Sequence, residues 1–157
     1  MAMCKRCWLV VAVLVLTLTG MGYKFLVMGS TTQGSDGRTA LQLSPSERDL
    51  VLGEMRAFLA SVQRISEGVV KDDMQQVEQA AREVGMAAQE VVPTSLVGKL
   101  PLAFKQLGFG THRKFDQLGL DAQQLGDKEH ALAQLSELMQ NCVACHAAYR
   151  IEAHDDK

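Results

Sequence analysis

The stretch Cys142-Val143-Ala144-Cys145-His146 lies near the end of the chain, and the prediction of the fold starts from it. Two cysteines separated by two residues and followed directly by a histidine form the attachment signature of a c-type haem. In that chemistry each thiol forms a thioether with the porphyrin, and the imidazole binds the iron as an axial ligand. Positions i, i+3 and i+4 share one face of a helix, so all three side chains would address one flat macrocycle. We therefore predict one covalent haem c on Cys142 and Cys145, with His146 as the proximal ligand of the iron.

A CxxC pair also occurs in zinc sites and in redox dithiols. A zinc site of this type needs a second pair of ligands, and the body of the chain contains no second CxxC pair. A thioredoxin-like dithiol needs a βαβ pattern around the pair, and the sequence shows none. The histidine directly after the second cysteine favours haem over both alternatives.

The motif continues through Tyr149 to Arg150, four residues after the histidine. A C-terminal CxxCH followed by Arg at this distance resembles the cytochrome c′ family, the class II cytochromes c. The resemblance covers roughly residues 45 to 151, and only the haem motif is specific. It implies a four-helix bundle whose last helix holds the haem, export to the periplasm, and dimerisation through the first two helices of the bundle.

The chain has 157 residues, of which 47% are hydrophobic and 5% are aromatic, and its formal net charge is −2. This length is enough for one domain with a sizeable core, and the balanced charge gives no reason to expect a nucleic acid as partner. Aromatic and β-branched runs are scarce after the first thirty residues, which disfavours strands. No Ser/His/Asp set or carboxylate pair recurs on one face, so we do not expect an enzyme.

The N-terminus combines a basic start with a long apolar run. The stretch from Trp8 to Met28 is about the length that spans a bilayer. Residues 1–29 are therefore predicted to be a transmembrane anchor or a signal peptide cut near Gly20 or Gly29. The missing A-x-A site favours the anchor, and the basic start then stays in the cytoplasm. Together with the resemblance, this implies a protein of the inner membrane with its haem domain in the periplasm.

Two further features lie outside the predicted haem domain. Cys4 and Cys7 form a second CxxC without a following histidine, which we interpret as two unpaired thiols. The stretch Gly29 to Gly37 has the Gly- and Ser-rich composition of a flexible tether. Residues 30–44 are therefore predicted to be a flexible linker, and residues 45–157 the cytochrome c′-like haem domain.

The haem domain is predicted to contain four amphipathic helices. Ser44 to Glu47 is a capping box with proline at the first helical position, which marks the start of the first helix. The predicted helices run from about 45 to 68, from about 74 to Pro93, from about 102 to 125, and from 128 through Tyr149. The segment between the two prolines at 93 and 101 is predicted to be a loop or a short helical turn. The short connections predict an antiparallel, up-down-up-down bundle, and the fold class is all-α.

The first predicted helix faces the far side of the haem and decides the chemistry of the iron. In cytochromes c′ an apolar residue four positions after an arginine covers this side, and Arg48 and Leu52 match that spacing. Such a lid leaves the iron five-coordinate and open to NO or CO. Met55 lies one turn further and is off this register; it either packs in the core or offers its thioether as a sixth ligand. The spacing favours an open or weakly ligated iron.

Four other residues complete the predicted haem pocket. His112 lies among apolar positions of the third helix, as a satisfied buried histidine, a partner of a haem propionate, or a sixth ligand. Phe58 and Phe115 are predicted to pack in the core of the bundle or against the haem edge. Arg150 is predicted to place its charge beside His146.

Two functions follow from this sequence. The first is electron transfer at the inner membrane with redox proteins as partners, and the anchor favours it because it holds the haem near membrane-bound redox enzymes. The second is binding or scavenging of NO or CO at a five-coordinate haem.

Overall fold

The structure, a computed structural model, describes residues 5–154 and is mostly helical (78%). Six α-helices lie in this range: α1 (Lys5–Gly22), α2 (Pro45–Lys71), α3 (Met74–Arg82), α4 (Thr94–Lys99), α5 (Leu102–Leu125) and α6 (Lys128–Ala148). A π-helical segment (Tyr23–Met28) continues α1, and a 3-10 helix (Met86–Val91) follows α3. Three strands are present as well: β1 (Thr31–Gln33), β2 (Thr39–Leu43) and β3 (Tyr149–Ala153). The structure is thus mostly helical, as predicted, but the small sheet departs from the all-α class, and the antiparallel four-helix bundle is not confirmed.

The start of α2 follows from local capping. The backbone N–H of Ser44 donates to Glu47 Oε2 at 2.9 Å, and the N–H of Glu47 donates to Ser44 Oγ at 3.3 Å. Pro45 occupies the first helical position, where its missing N–H costs nothing. The predicted start of this helix is therefore confirmed, and the helix ends at Lys71, three residues beyond the prediction.

The largest core lies among α2, α3, α5 and α6. Phe58 of α2 stacks on Phe115 of α5 with ring centroids 5.3 Å apart, and the hydroxyl of Ser61 donates to the carbonyl of Ala80 at 2.6 Å. Each large side chain buried in this way stabilises the fold by roughly 1.5–3 kcal/mol. The buried members of this core are Phe58, Ile65, Val77, Ala80, Ala81, Val84, Phe115, Leu118, Ala122, Ala131, Leu135 and Leu138.

The second predicted helix was expected to run to Pro93, but the corresponding helix, α3, ends at Arg82. Gly85 lies so close to Asp116 of α5 that a Cβ on it would be 1.8 Å from the carboxylate. The same carboxylate accepts a hydrogen bond from the N–H of Met86 at 2.9 Å. This contact turns the chain into the 3-10 helix, and the segment after Pro93 then forms α4.

The segment predicted to be a flexible linker forms an ordered β-hairpin, contrary to the expectation from composition. β1 pairs with β2 in antiparallel register, from Thr31 opposite Leu41 to Gln33 opposite Thr39. Three side chains of β2 are buried, and two of them belong to a second core with α2 and α4. Burial of Ala40, Leu41 and Leu43 therefore stabilises the hairpin. The Gly- and Ser-rich composition of the preceding stretch gave no sign of this burial.

The last predicted helix also ends earlier than expected. It stops at Ala148, and the next residues form β3, which runs parallel to β2 with Thr39 opposite Tyr149 and Leu43 opposite Ala153. Tyr149 and Arg150 therefore lie on a strand and not on the helix. The sheet order β1-β2-β3 connects the segment after α1 to the segment after the CxxCH motif.

One helical stretch among the described residues, Arg6–Met28, is long and apolar enough to cross a membrane, with a mean hydropathy of 2.0 over its most apolar window. None of that window is buried inside the protein. By length and composition the same stretch also fits a signal sequence. Of the second CxxC pair, Cys7 is an exposed free thiol, and Cys4 lies outside the described residues.

Candidate functional site

The CxxCH motif occupies the last two turns of α6. Asp127 caps the start of the helix, and its Oδ1 accepts hydrogen bonds from the N–H groups of Glu129 at 2.9 Å and His130 at 3.1 Å. Its buried face carries Leu135 and Leu138, and Cys142 continues that face one turn later. Since α6 is helical through Ala148, the two thiols and the imidazole lie on one side of it, as the spacing predicted.

Two cavities adjoin this side of α6. The larger, about 430 Å³, lies among α2, α5 and α6, and the smaller, about 250 Å³, lies between α2 and the sheet. Five residues line both cavities: Leu52, Met55, Phe104, Cys145 and His146. Cofactor pockets usually measure roughly 300–1,000 Å³, so the larger cavity alone is in the range of a cofactor site.

The walls of the larger cavity are mostly apolar. Cys142 lines this cavity from α6, and Phe58 lines it from the floor formed by the main core. The other apolar side chains in its wall are Leu59, Val62, Leu107 and Met139. A flat apolar ligand would be shielded from water here, because the polar groups are few.

Both thiols of the motif are free and half-buried. Burial raises the pKa of Cys142, and burial together with the neighbouring Cys142 raises the pKa of Cys145 to about 11. Both sulfurs are therefore protonated at neutral pH. Redox-active CxxC pairs need the opposite shift, a thiol pKa lowered towards neutrality, so this environment does not activate a dithiol.

The side chain of His146 is exposed, and its imidazole has no hydrogen-bond partner among the described residues. Its backbone carbonyl accepts a hydrogen bond from Arg38 Nη1 at 3.3 Å. The ring nitrogens are thus available to a ligand in either cavity.

Leu52 and Met55, the two residues predicted to face the iron opposite His146, both lie on α2 and border the same cavities. Leu52 and Met55 line both cavities together with His146. Leu52 is 38% exposed, whereas Met55 is half-buried and packs against both cores. The helix therefore presents Met55 to the cavities although it lies off the register of Arg48 and Leu52.

Three arginines line the smaller cavity: Arg38, Arg48 and Arg150. Arg38 pairs with Asp36 at 2.7 Å and donates to the carbonyl of Tyr149 at 3.3 Å, and Arg150 lies 3.5 Å from Asp36. The hydrogen bonds from Arg38 lower the pKa of Asp36 to about 2. The sequence analysis did not predict Arg38 as a site residue, because it lies in the predicted linker. Its positive charge was the one feature that could have indicated a role at the site.

His112 lies outside both cavities and is only 2% exposed. Its Nδ1 donates to the carbonyl of Val84 at 2.7 Å, and its Nε2 lies 3.2 Å from Glu54 Oε1 and 2.5 Å from Gln89 Nε2. Burial lowers the pKa of His112, but the hydrogen bonds to Glu54 and Val84 outweigh it, so the pKa is raised. Phe115 is also outside the cavities, fully buried beneath Phe58.

The structure thus brings most of the predicted pocket residues to one place and leaves two apart. Those that line the cavities are Arg48, Leu52, Met55, Phe58, Cys142, Cys145, His146 and Arg150. Within the described part of the chain, no group of three or more His, Cys, Asp and Glu side chains is placed to hold a metal ion. Comparison of the chain with protein-family models, with curated proteins and with solved structures found no match.

Proposed function

We propose that the chain is a membrane-anchored c-type haem protein that transfers electrons at the periplasmic face of the inner membrane. In this proposal α2, α3, α5 and α6 act as the four helices of a haem bundle. Cys142 and Cys145 would hold the haem as thioethers, and His146 would bind its iron. The observation that carries the proposal is that the CxxCH residues border an apolar cavity of cofactor size, about 430 Å³.

The side chains around the two cavities fit the chemistry of a haem. A haem has an apolar macrocycle and two carboxylates at one edge. The larger cavity offers mostly apolar walls, and the smaller offers Arg38, Arg48 and Arg150, whose guanidinium groups match carboxylates. Protonated thiols lie next to this space, together with an imidazole that has no hydrogen-bond partner in residues 5–154. When bound, the group would supply one-electron redox chemistry.

Each part of the site then has a defined task. The two cysteines would fix the position of the cofactor, and His146 would hold the iron from the side of α6. Leu52 and Met55 exclude water on the side of α2. Met55 is half-buried and borders the same cavities as His146. Its thioether would complete a His/Met pair, which stabilises the ferrous state and suits electron transfer.

The apolar N-terminal helix supports the location. Arg6–Met28 is long enough to hold the domain at a membrane. An anchored carrier meets membrane-bound redox partners at a high effective concentration.

Binding of NO or CO is the second candidate function. It is favoured by the position of Leu52, which borders both cavities four residues after Arg48. An apolar lid at this point would leave one face of the iron open to small neutral diatomics.

Membrane vesicles that contain the full-length protein test the proposed function. We expect the haem absorbance to report reduction when a substrate of a membrane-bound dehydrogenase is added, and reoxidation when air is admitted. The Cys142→Ala/Cys145→Ala variant should lose the signal, and the matched Cys7→Ala control should keep it. A haem that binds CO but is never reduced by the membrane would contradict electron transfer and favour the second candidate.

A further inference from the structure

We propose that the corner between α4 and α5, residues 99–105, rests on anionic lipid headgroups and holds the haem domain in a fixed orientation on the membrane. The inference rests on the anchoring proposed above and adds a contact surface and a geometry to it. It also specifies the redox partner as a protein embedded in the same membrane.

The apolar N-terminal segment contacts this corner directly. The carbonyl of Leu26 accepts a hydrogen bond from Lys105 Nζ at 3.2 Å, and the N–H of Ser30 donates to the carbonyl of Lys99 at 2.6 Å. Between them Gly29 is buried with φ at 64°, and a Cβ there would lie 2.4 Å from the carbonyl oxygen of Lys99 and 2.7 Å from the nitrogen of Pro101. Only glycine fits this approach, so the chain enters the domain without a spacer.

The β-hairpin also contacts the segment that joins the apolar helix to the domain. The carbonyl of Ser30 accepts a hydrogen bond from the N–H of Gln42 at 2.9 Å. Leu41 and Leu43 of β2 are buried in one cluster with Leu96 and Leu100, which flank the start of the corner. The end of the anchor is therefore bonded to the domain through both its backbone and the second core.

The length of the anchor sets the depth of the corner. Arg6–Met28 has 23 residues. At about 1.5 Å per residue such a helix is ~34 Å long, slightly more than the ~30 Å hydrocarbon core of a bilayer. Leu26 then lies near the outer surface of the bilayer. Lys105 is one hydrogen bond away from Leu26, so the corner lies at the depth of the headgroups.

The composition of the corner suits an anionic interface. The corner contains Lys99 and Lys105 and no Asp or Glu. Lys99 pairs with Glu47 at 2.8 Å, so Lys105 supplies the positive charge that the corner offers to a headgroup. Leu102, at the centre of the corner, is 42% exposed. An exposed leucine beside a lysine is a combination suited to the boundary between acyl chains and headgroups.

The orientation brings the cofactor cavities close to the membrane. Phe104 belongs to the corner and lines both cavities, and its ring packs edge-on against Tyr149 at 5.2 Å. The cofactor would thus lie within a side chain's length of the lipid surface. A partner embedded in the bilayer can reach it at that height, whereas a diffusing periplasmic protein meets a partly covered face.

The test uses the full-length protein in which Cys4 and Cys7 are replaced by serine. A single thiol is introduced either by Ala103→Cys in the corner or by Gln124→Cys at the far end of α5, both at exposed positions. The protein is inserted into vesicles of phosphatidylcholine with phosphatidylglycerol as minor component and treated with an uncharged, membrane-impermeant polyethylene-glycol maleimide. We expect alkylation at position 103 to be several-fold slower than at position 124.

Two variants locate the cause of the protection. Leu102→Gln/Lys105→Gln, or a flexible Gly-Ser spacer inserted after Gly29, should raise the rate at position 103 to that at position 124. The matched control Lys128→Gln/Leu132→Gln removes one lysine and one exposed leucine at the other end of the domain and should leave both rates unchanged.

Other outcomes would overturn the proposal. Equal rates at positions 103 and 124 would show that the corner is not at the interface. Protection that depends on the protein-to-lipid ratio, and not on phosphatidylglycerol, would assign the corner to a second copy of this chain. Alkylation of Cys142 and Cys145 while position 103 stays protected would contradict the covalent haem but support the contact with lipid. The failure of the proposed function and the failure of this inference are therefore distinguishable.

Discussion

Leu52 and Met55 are the two side chains on α2 that decide what an iron bound by His146 could do. Both border the two cavities, so the choice between them depends on their chemistry and not on access. A leucine only excludes water and restricts the space for a ligand, whereas a thioether binds iron and stabilises its ferrous state.

The electron-transfer proposal therefore expects opposite results from two substitutions. Met55→Leu nearly conserves volume, so the fold should survive. It should convert the iron from low spin to high spin and lower the reduction potential, because the thioether is lost. Leu52→Ala should leave the spin state unchanged. Optical spectra of the ferric and ferrous forms and a redox titration check both results.

The reverse pattern would support gas binding. In that case Met55→Leu leaves the spectrum unchanged, and Leu52→Ala widens the pocket and speeds CO binding. A wild-type ferrous protein that is high-spin and binds CO at neutral pH would contradict the Met55 expectation.

At the residue scale, the sequence predicted those parts of the site whose spacing is a chemical requirement. The spacing of Cys142, Cys145 and His146 predicted that one face of a helix presents them together, and α6 does so. Arg38 could not be found, because it reaches the site only through the pairing of β2 with β3. Nothing in a Gly- and Ser-rich stretch indicates such a long-range partner.

At the element scale, the helices with local start and stop signals were predictable. The bounds of α5 match the prediction, since Pro101 precedes it and Gly126, with φ at 63°, ends it. The sheet was not predictable, because strands of three to five residues are stable here only through tertiary pairing. The early end of α3 depends on the contact of Gly85 with Asp116, which sequence periodicity cannot reveal.

His112 joins several elements and makes their packing sensitive to pH. From α5 its ring pairs with Glu54 of α2 and donates to the carbonyl of Val84 after α3, and Gln89 of the 3-10 helix donates to the same Glu54 carboxylate. Arg113 follows His112 directly on α5, and Asp116 one turn further accepts a hydrogen bond from the N–H of Met86. Lys114 pairs with Glu137. The pKa of His112 is raised in the folded protein, so its charged form stabilises the fold.

The sign of the pH effect follows from that shift. The contribution is fully present below the unfolded pKa of about 6.5 and is lost as the pH rises through the raised folded pKa. Urea unfolding should give a smaller free energy of unfolding above this window than below it. His112→Gln should remove this dependence and cost about 1–3 kcal/mol below the window, since Glu54 and Val84 lose a donor.

The exposed His130 supplies the matched control for this experiment. Its side chain is 45% exposed, and within residues 5–154 the ring contacts one acidic group, Asp121, at 3.4 Å. His130→Gln should leave the pH dependence of the free energy of unfolding in place. A flat pH profile for the wild-type protein would show that His112 does not stabilise these contacts by its charge.

At the scale of the whole molecule, the site is assembled from both ends of the chain. β2 lies in the centre of the sheet and pairs with the segment after the CxxCH motif, so Thr39 meets Tyr149. The smaller cavity exists only when this parallel pairing is made, because its wall includes residues of β2 and β3. Long-range pairing of this kind forms slowly in folding.

The central claim is the covalent haem on α6, and the tryptic peptide 129–150 of the full-length protein tests it most directly. This peptide contains both cysteines and the histidine of the motif, and trypsin releases it by cleavage after Lys128 and after Arg150. Mass spectrometry should find it heavier by one haem, and the added mass should survive extraction with acidified acetone because thioethers are not cleaved. A peptide with two free thiols, or with a disulfide between Cys142 and Cys145, would contradict the account.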